Sequence, residues 1–246
     1  MLLTFAVLLM CACPTLARED MQSDAELFAA QKAMDAGDFA QSLKLFKQAA
    51  ADGKAAALEH VAMIYLEGGN GVEKNYAAAM EWAQKAADAG KGRGNLYLGQ
   101  IWMNGWGVTA DLEKALACFK KADAAGDMKA GRYVGLIAEQ RGDDATAAQW
   151  FRKAAEAGDI TSQYALGRAY ETGGGVPQDD AEAMAWYRKS ASRGDIIASD
   201  GIVGMAGLYE KGAGVPRDLD KAIALYRQAA DLGNAAASKA LARLGQ

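Results

Sequence analysis

The sequence predicts an all-helical array of short helix–turn–helix repeats. Three observations predict it. A glycine recurs at near-constant spacing, each such glycine ends an amphipathic segment of one pattern, and an Asp or Asn stands fifteen residues before each of them. The glycines are Gly53, Gly90, Gly126, Gly158, Gly194 and Gly233, separated by 37, 36, 32, 36 and 39 residues. A period in this range marks a chain of stacked supersecondary units, none of which buries its apolar face alone.

The segments before the glycines read LFKQAAADG, WAQKAADAG, CFKKADAAG, WFRKAAEAG, WYRKSASRG and LYRQAADLG. Each has a large apolar residue at the first position, and usually at the second, and stops at Gly, which fits the left-handed position after a helix that other residues resist. Fifteen residues earlier stand Asp38, Asn75, Asp111, Asp143, Asp179 and Asp218. Asp and Asn cap helix N-termini by accepting a free backbone N–H, each worth about 1 kcal/mol. Six in phase predict six second helices with a common start. Asp127, Asp159 and Asp195 follow closing glycines and are expected to start the next first helices.

The first helix of each unit sets a small residue beside a large one, as in Leu98-Gly99, Val134-Gly135, Leu166-Gly167 and Met205-Ala206. Gly inside a helix costs about 1 kcal/mol relative to Ala, so its recurrence predicts close approach of helix backbones. Four residues after the large one comes Tyr65, Trp102, Ala138, Tyr170 or Tyr209 on the same buried stripe. Four copies join their helices through glycine loops, GGNGV, GWGV, GGGVP and GAGVP, whose valines Val72, Val108, Val176 and Val215 are read as plugs onto the core. Two copies turn directly at Ala36-Gly37-Asp38 and Arg141-Gly142-Asp143, like ordinary tetratricopeptide hairpins.

The alternation Leu-Gly, Tyr, Gly-x-Gly-Val, Asp and Trp-Tyr-x-Lys-Ala-Ala-x-x-Gly resembles the Sel1-like repeat family, most closely over residues 164–194. The resemblance covers roughly Asp24 to Gly233 and departs in the two loopless units and in about three extra residues between Gly194 and Leu208. It implies a right-handed α-solenoid of stacked hairpins. The expected units are 24–53, 54–90, 91–126, 127–158, 159–194 and 195–233, with 234–246 as a capping helix.

Residues 1–17, MLLTFAVLLMCACPTLA, read as a secretion signal: an apolar run, broken by Pro14, with Thr15-Leu16-Ala17 as a small-x-small cleavage site. The run lacks a preceding Lys or Arg, which a misassigned start codon would explain, and is too short to span a membrane. Cleavage after Ala17 would leave a repeat domain of 18–246, periplasmic or secreted, with no integral membrane span. A lipid anchor on Cys11 or Cys13 is disfavoured, because the residues before them fit a lipobox poorly. Cys118 then remains as the sole cysteine, so no internal disulfide is expected.

Charge and chemistry narrow the function. A net charge of −4 and a pI of about 5.2 give no basic surface for nucleic acid. The sole histidine, His60, is read as a helix-face residue, and Cys118 occupies a slot that holds Trp82, Trp150 or Trp186 elsewhere. Neither a metal site nor a cofactor is expected. No nucleotide-binding or nucleophile-elbow motif occurs, and the glycine loops, repeated four times, are read as structural. Arg141-Gly142-Asp143 and Arg193-Gly194-Asp195 spell an adhesion tripeptide, but there Gly is a turn and Asp143 a cap. Some Sel1-like proteins are described as penicillin-binding or β-lactamase-like. This chain has no S-x-x-K and no paired cysteines, so a cell-wall or β-lactam hydrolase stands second.

The first reading is an exported, non-enzymatic scaffold or adaptor of the cell envelope that binds a protein or peptide. A structural spacer is the third. Solenoids of this kind bind on the concave face, lined by first helices. Projection at 100° per residue puts Glu59, Met63, Leu96, Gln100, Met103, Arg132, Glu139, Tyr164, Arg168 and Glu171 there, with Leu66, Leu136, Val203 and Glu210. Tyr164 and Arg168, four apart, are expected to be exposed together and to contact the partner.

Overall fold

The computed structural model describes residues 24–246. The expected leader, its cleavage site after Ala17, and Cys11 and Cys13 lie outside the described residues. Those described form thirteen α-helices and one short 3₁₀ turn, without a named strand. The helices are α1 Ala25–Asp35, α2 Phe39–Ala51, α3 Ala55–Glu67, α4 Tyr76–Asp88, α5 Gly92–Asn104, α6 Leu112–Ala124, α7 Ala130–Gln140, α8 Asp144–Glu156, α9 Ile160–Thr172, α10 Asp180–Ala191, α11 Ser199–Lys211, α12 Leu219–Asp231 and α13 Ala235–Arg243.

The chain divides into two compact units, one ending at Tyr97 and the other spanning Leu98–Gln246. In the first, α1 to α4 pack in chain order; in the second, α6 to α13 do so, and α9 also touches α11. The chain is therefore a series of stacked hairpins within each unit.

The second helices start where the sequence placed them. Asp38, Asn75, Asp111, Asp143, Asp179 and Asp218 each accept a backbone N–H from the first turn. The cap residue's own N–H reaches back to the carbonyl of the slot residue in its first helix. These bonds are Asp38 to Ala33, Asn75 to Tyr65, Asp111 to Trp102, Asp143 to Ala138, Asp179 to Tyr170 and Asp218 to Tyr209, all 2.8–3.0 Å. One bond thus closes every hairpin, with or without a glycine loop.

The far ends close as expected. At Gly158 (φ +98°) the glycine N–H donates to Ala155, and Asp159 N–H donates to Ala154, satisfying carbonyls the helix would otherwise leave bare. Asp159 then caps α9 through Ser162 N–H. After Gly194 the surplus residues form the 3₁₀ turn Ile196–Ala198, capped by Asp195, before α11 begins. Asp127 accepts from Lys129 N–H ahead of α7.

The core is a row of rings on small residues. Phe119, Phe151 and Tyr187, from second helices, lie on Gly99, Gly135 and Gly167 of their own first helices. A Cβ there would stand 2.5–2.6 Å from a ring carbon. The next first helix covers such a ring: His60 stacks on Phe46 at 4.5 Å, Tyr133 on Phe119 at 4.6 Å, and Gly204 lies against Tyr187. Gly99, Gly135, Gly167 and Gly204 thus serve ring packing, whereas Gly94 and Gly201 lie against the backbone of the preceding second helix, the close approach that helical glycines predict.

The glycine loops lean on the start of the preceding second helix. Gly69 lies on the Phe39 ring, Gly175 on the backbone of Asp144 and Ala145, and Gly214 on Asp180. Val72 and Val215 pack half-buried against their clusters, as plugs should.

Candidate partner-binding site

In the second unit, two of the expected contact residues meet at an opening. Glu139, next to last in α7, and Arg168, in the middle of α9, line a depression of about 180 Å³. Its remaining walls are Asp144, Ala147, Ala148 and Phe151 of α8, Ala165, Ala169 and Thr172 of α9, and Gly174 of the loop. Repeat four carries Ala138 where the looped repeats carry an aromatic ring, and Ala138 clusters with Ala147 and Phe151 of these walls. The floor is small and apolar, and the rim holds two carboxylates and one guanidinium. Arg168 Nη2 stands 3.8 Å from Glu139 Oε1, too far for a hydrogen bond.

The other expected residues fare differently. Leu96 is 2% exposed, so the expectation that it offers apolar contact is corrected. Leu66 is buried as well. Helical projection gives an angle around an isolated helix and cannot report what neighbours cover. Glu59, Met63 and Met103 are half-buried, and Met63 packs against the Phe46–Val61 cluster. Gln100 donates to the Tyr133 hydroxyl at 2.6 Å. Arg132 joins α7 to the start of α9, donating to Asp159 Oδ2 at 3.1 Å and Thr161 Oγ1 at 3.0 Å.

Tyr164 does not stand free either. It is half-buried, its ring 5.7 Å from Tyr187, and burial pushes its hydroxyl pKa up. Glu171 accepts from Tyr187 Oη at 2.6 Å and Lys211 Nζ at 2.7 Å. Burial first, then the Glu171 hydrogen bond, raises the Tyr187 pKa far above the usual phenol range. Sequence reasoning missed Asp144, Thr172 and Gly174. The projection covered the faces of first helices alone, whereas Asp144 begins α8 and Gly174 lies in the loop after α9.

The residues with latent chemistry are occupied structurally. Burial lowers the His60 pKa, and its Nδ1 lies 2.9 Å from Ala56 O, so a neutral ring sits stacked on Phe46. Burial pushes the Cys118 thiol up, away from thiolate reactivity. Arg193 pairs with Asp195, which caps the 3₁₀ turn, and Arg141 pairs with Glu113 at 2.7 Å. Among the described residues, no group of three His, Cys, Asp or Glu is placed to hold a metal, and no helix is long and apolar enough to cross a membrane.

The comparisons agree with this architecture. The Sel1 repeat family model matches residues 32–54, 55–91, 93–127, 129–159, 160–195 and 199–234. The chain therefore belongs to the Sel1 repeat family, an all-α class of the α-solenoid type. A Sel1 repeat protein from Oxalobacter formigenes is 28% identical, with 91% of this chain and 90% of that one covered and a TM-score of 0.77. A protective antigen of uropathogenic Escherichia coli strains with the same type of fold is 29% identical, at a TM-score of 0.60. The match covers 93% of this chain and 58% of that one. An immunity protein from Pseudomonas aeruginosa, 19% identical over 85% and 83% of the two chains, shares the fold at a TM-score of 0.59. No curated protein matches the chain. Repeats of this kind generally mediate contact between proteins.

Proposed function

We propose that this protein is an exported adaptor of the cell envelope, which seats a protein or peptide on the first-helix face of its second unit. One observation carries the reading: Glu139 and Arg168, both expected at the contact face, meet at the rim of an open depression with an apolar floor. Interfaces are built this way, from an apolar centre and a polar rim. Export rests on the leader sequence of residues 1–17. The hydrolase alternative gains no poised group, since His60 is packed neutral and the Cys118 thiol is pushed up.

The test is capture from envelope extract on immobilised mature protein, wild type against Arg168→Glu. Arg168 is exposed, so its far-UV circular dichroism and melting should not change. Loss of a captured protein in the variant supports the reading. Equal capture by both moves the contact face elsewhere, and no capture leaves a spacer. Mass spectrometry of protein from the native host should find an N-terminus near Arg18.

A further inference from the structure

Repeats four, five and six each carry a glutamate one residue past the slot: Glu139, Glu171 and Glu210. The hairpin-closing bonds from Asp143, Asp179 and Asp218 to Ala138, Tyr170 and Tyr209 fix this register. In repeats five and six the glutamate is saturated from within. Glu171 accepts from Tyr187 and Lys211; Glu210 accepts from Tyr226 Oη at 3.0 Å and Arg243 Nη2 at 2.8 Å. Their side chains are 20% and 19% exposed.

Repeat four lacks both donors. Phe151 stands where the later repeats have Tyr187 and Tyr226, so no hydroxyl is available. Thr172 stands where the following first helix has Lys211, and its hydroxyl is spent on Arg168 O at 2.9 Å. The one cation at Glu139 among the described residues is Arg168, in a long ion pair at 3.8 Å without a hydrogen bond, and Glu139 remains 44% exposed. Asp144 lines the same depression and pairs with no cation among the described residues. The opening is thus short of a phenol hydroxyl and an alkylammonium, the two groups that fill the equivalent place one repeat later.

We infer that the depression receives a lysine side chain of the partner. The ammonium sits on Glu139 and Asp144, as Lys211 sits on Glu171. The methylene stem lies on Phe151 and the alanines, an amphipathic fit that lysine makes with its apolar stem and compact charge. An acidic side chain would meet two carboxylates against one guanidinium. The inference rests on the proposed contact face.

The probe is acetyl-Ala-Lys-Ala-amide, titrated into ¹⁵N-labelled mature protein into the millimolar range, against the peptides with norleucine or Glu in place of Lys. The lysine peptide should shift the Ala148 and Gly174 amides saturably, with norleucine at least about tenfold weaker. Glu139→Gln should abolish the shifts. Thr172→Lys, which supplies the missing ammonium from inside, should abolish them too and raise the Tm. No shift, equal shifts from norleucine, or stronger shifts from Glu would overturn the inference. In envelope capture, a partner lost with Arg168→Glu but retained by Thr172→Lys would also overturn the lysine seat while leaving the contact face standing.

Discussion

Repeats four and five differ chiefly in how their helices are joined. In repeat four the slot and cap residues, Ala138 and Asp143, are five apart; in repeat five, Tyr170 and Asp179 are nine apart. Both joints close with the same bond, cap N–H to slot carbonyl, at 3.0 and 2.9 Å. The four extra residues form a glycine loop that leans back on the start of α8. The slot residue follows the joint: Tyr65, Trp102, Tyr170 and Tyr209 accompany loops, whereas Ala33 and Ala138 accompany direct turns. The loop is therefore an excursion from a fixed hairpin, and the direct turn goes with a small slot residue where the looped repeats carry a ring.

The largest expected effect falls on what the two repeats share. Tyr187 lies between Gly167 and Gly204, and Phe151 lies on Gly135. Replacing either ring by Ala should cost about 3–5 kcal/mol in chemical denaturation. A much smaller loss at Phe151 would show that the depression lets repeat four collapse around the gap.

Gly135→Ala and Gly167→Ala come next. Helix propensity alone would make each stabilising by about 1 kcal/mol. The new Cβ would stand 2.6 Å from the Phe151 or Tyr187 ring, so both should instead destabilise by about 1–3 kcal/mol. The sign of the change in denaturation midpoint decides between propensity and packing.

Deleting Gly174–Pro177 would convert the joint of repeat five into that of repeat four. The variant should retain its helical circular dichroism and lose about 1 kcal/mol with the half-buried Val176 contact. Failure to fold would show that the loop is integral to the hairpin.

The smallest effect is again common to both. Asp143→Ala and Asp179→Ala should each lower stability by about 1 kcal/mol, irrespective of the loop. The Thr146 hydroxyl, then its N–H, hold the Asp143 carboxyl below the usual range. A depressed folded pKa gives stability that is present above the unfolded value, about 4, and lost as pH falls through the folded one. Asp143→Asn keeps an amide oxygen for the cap without titrating. Its denaturation midpoint should match wild type near neutrality and fall less steeply in acid.

Caps and closing glycines were legible in the sequence because they are local. Six side chains chosen by spacing all accept the N–H their position requires. The contact face was legible only in part. Glu139 and Arg168 line an open depression, but Leu96 is buried and Tyr164 leans on Tyr187. The revised expectation is that Tyr164→Ala perturbs packing, so Arg168 is the cleaner probe.

The sequence by itself determined the repeat, its six second helices and where each begins and ends. Those features depend on backbone groups within a few residues of one another, and a single Asp or Gly satisfies them. Tertiary structure decided which first-helix residues remain available. The depression draws Glu139 from α7, Asp144 and Phe151 from α8, Arg168 from α9 and Gly174 from a loop. Whether Glu139 is saturated depends on a ring in one helix and a side chain in another, and no periodicity within one helix encodes that meeting.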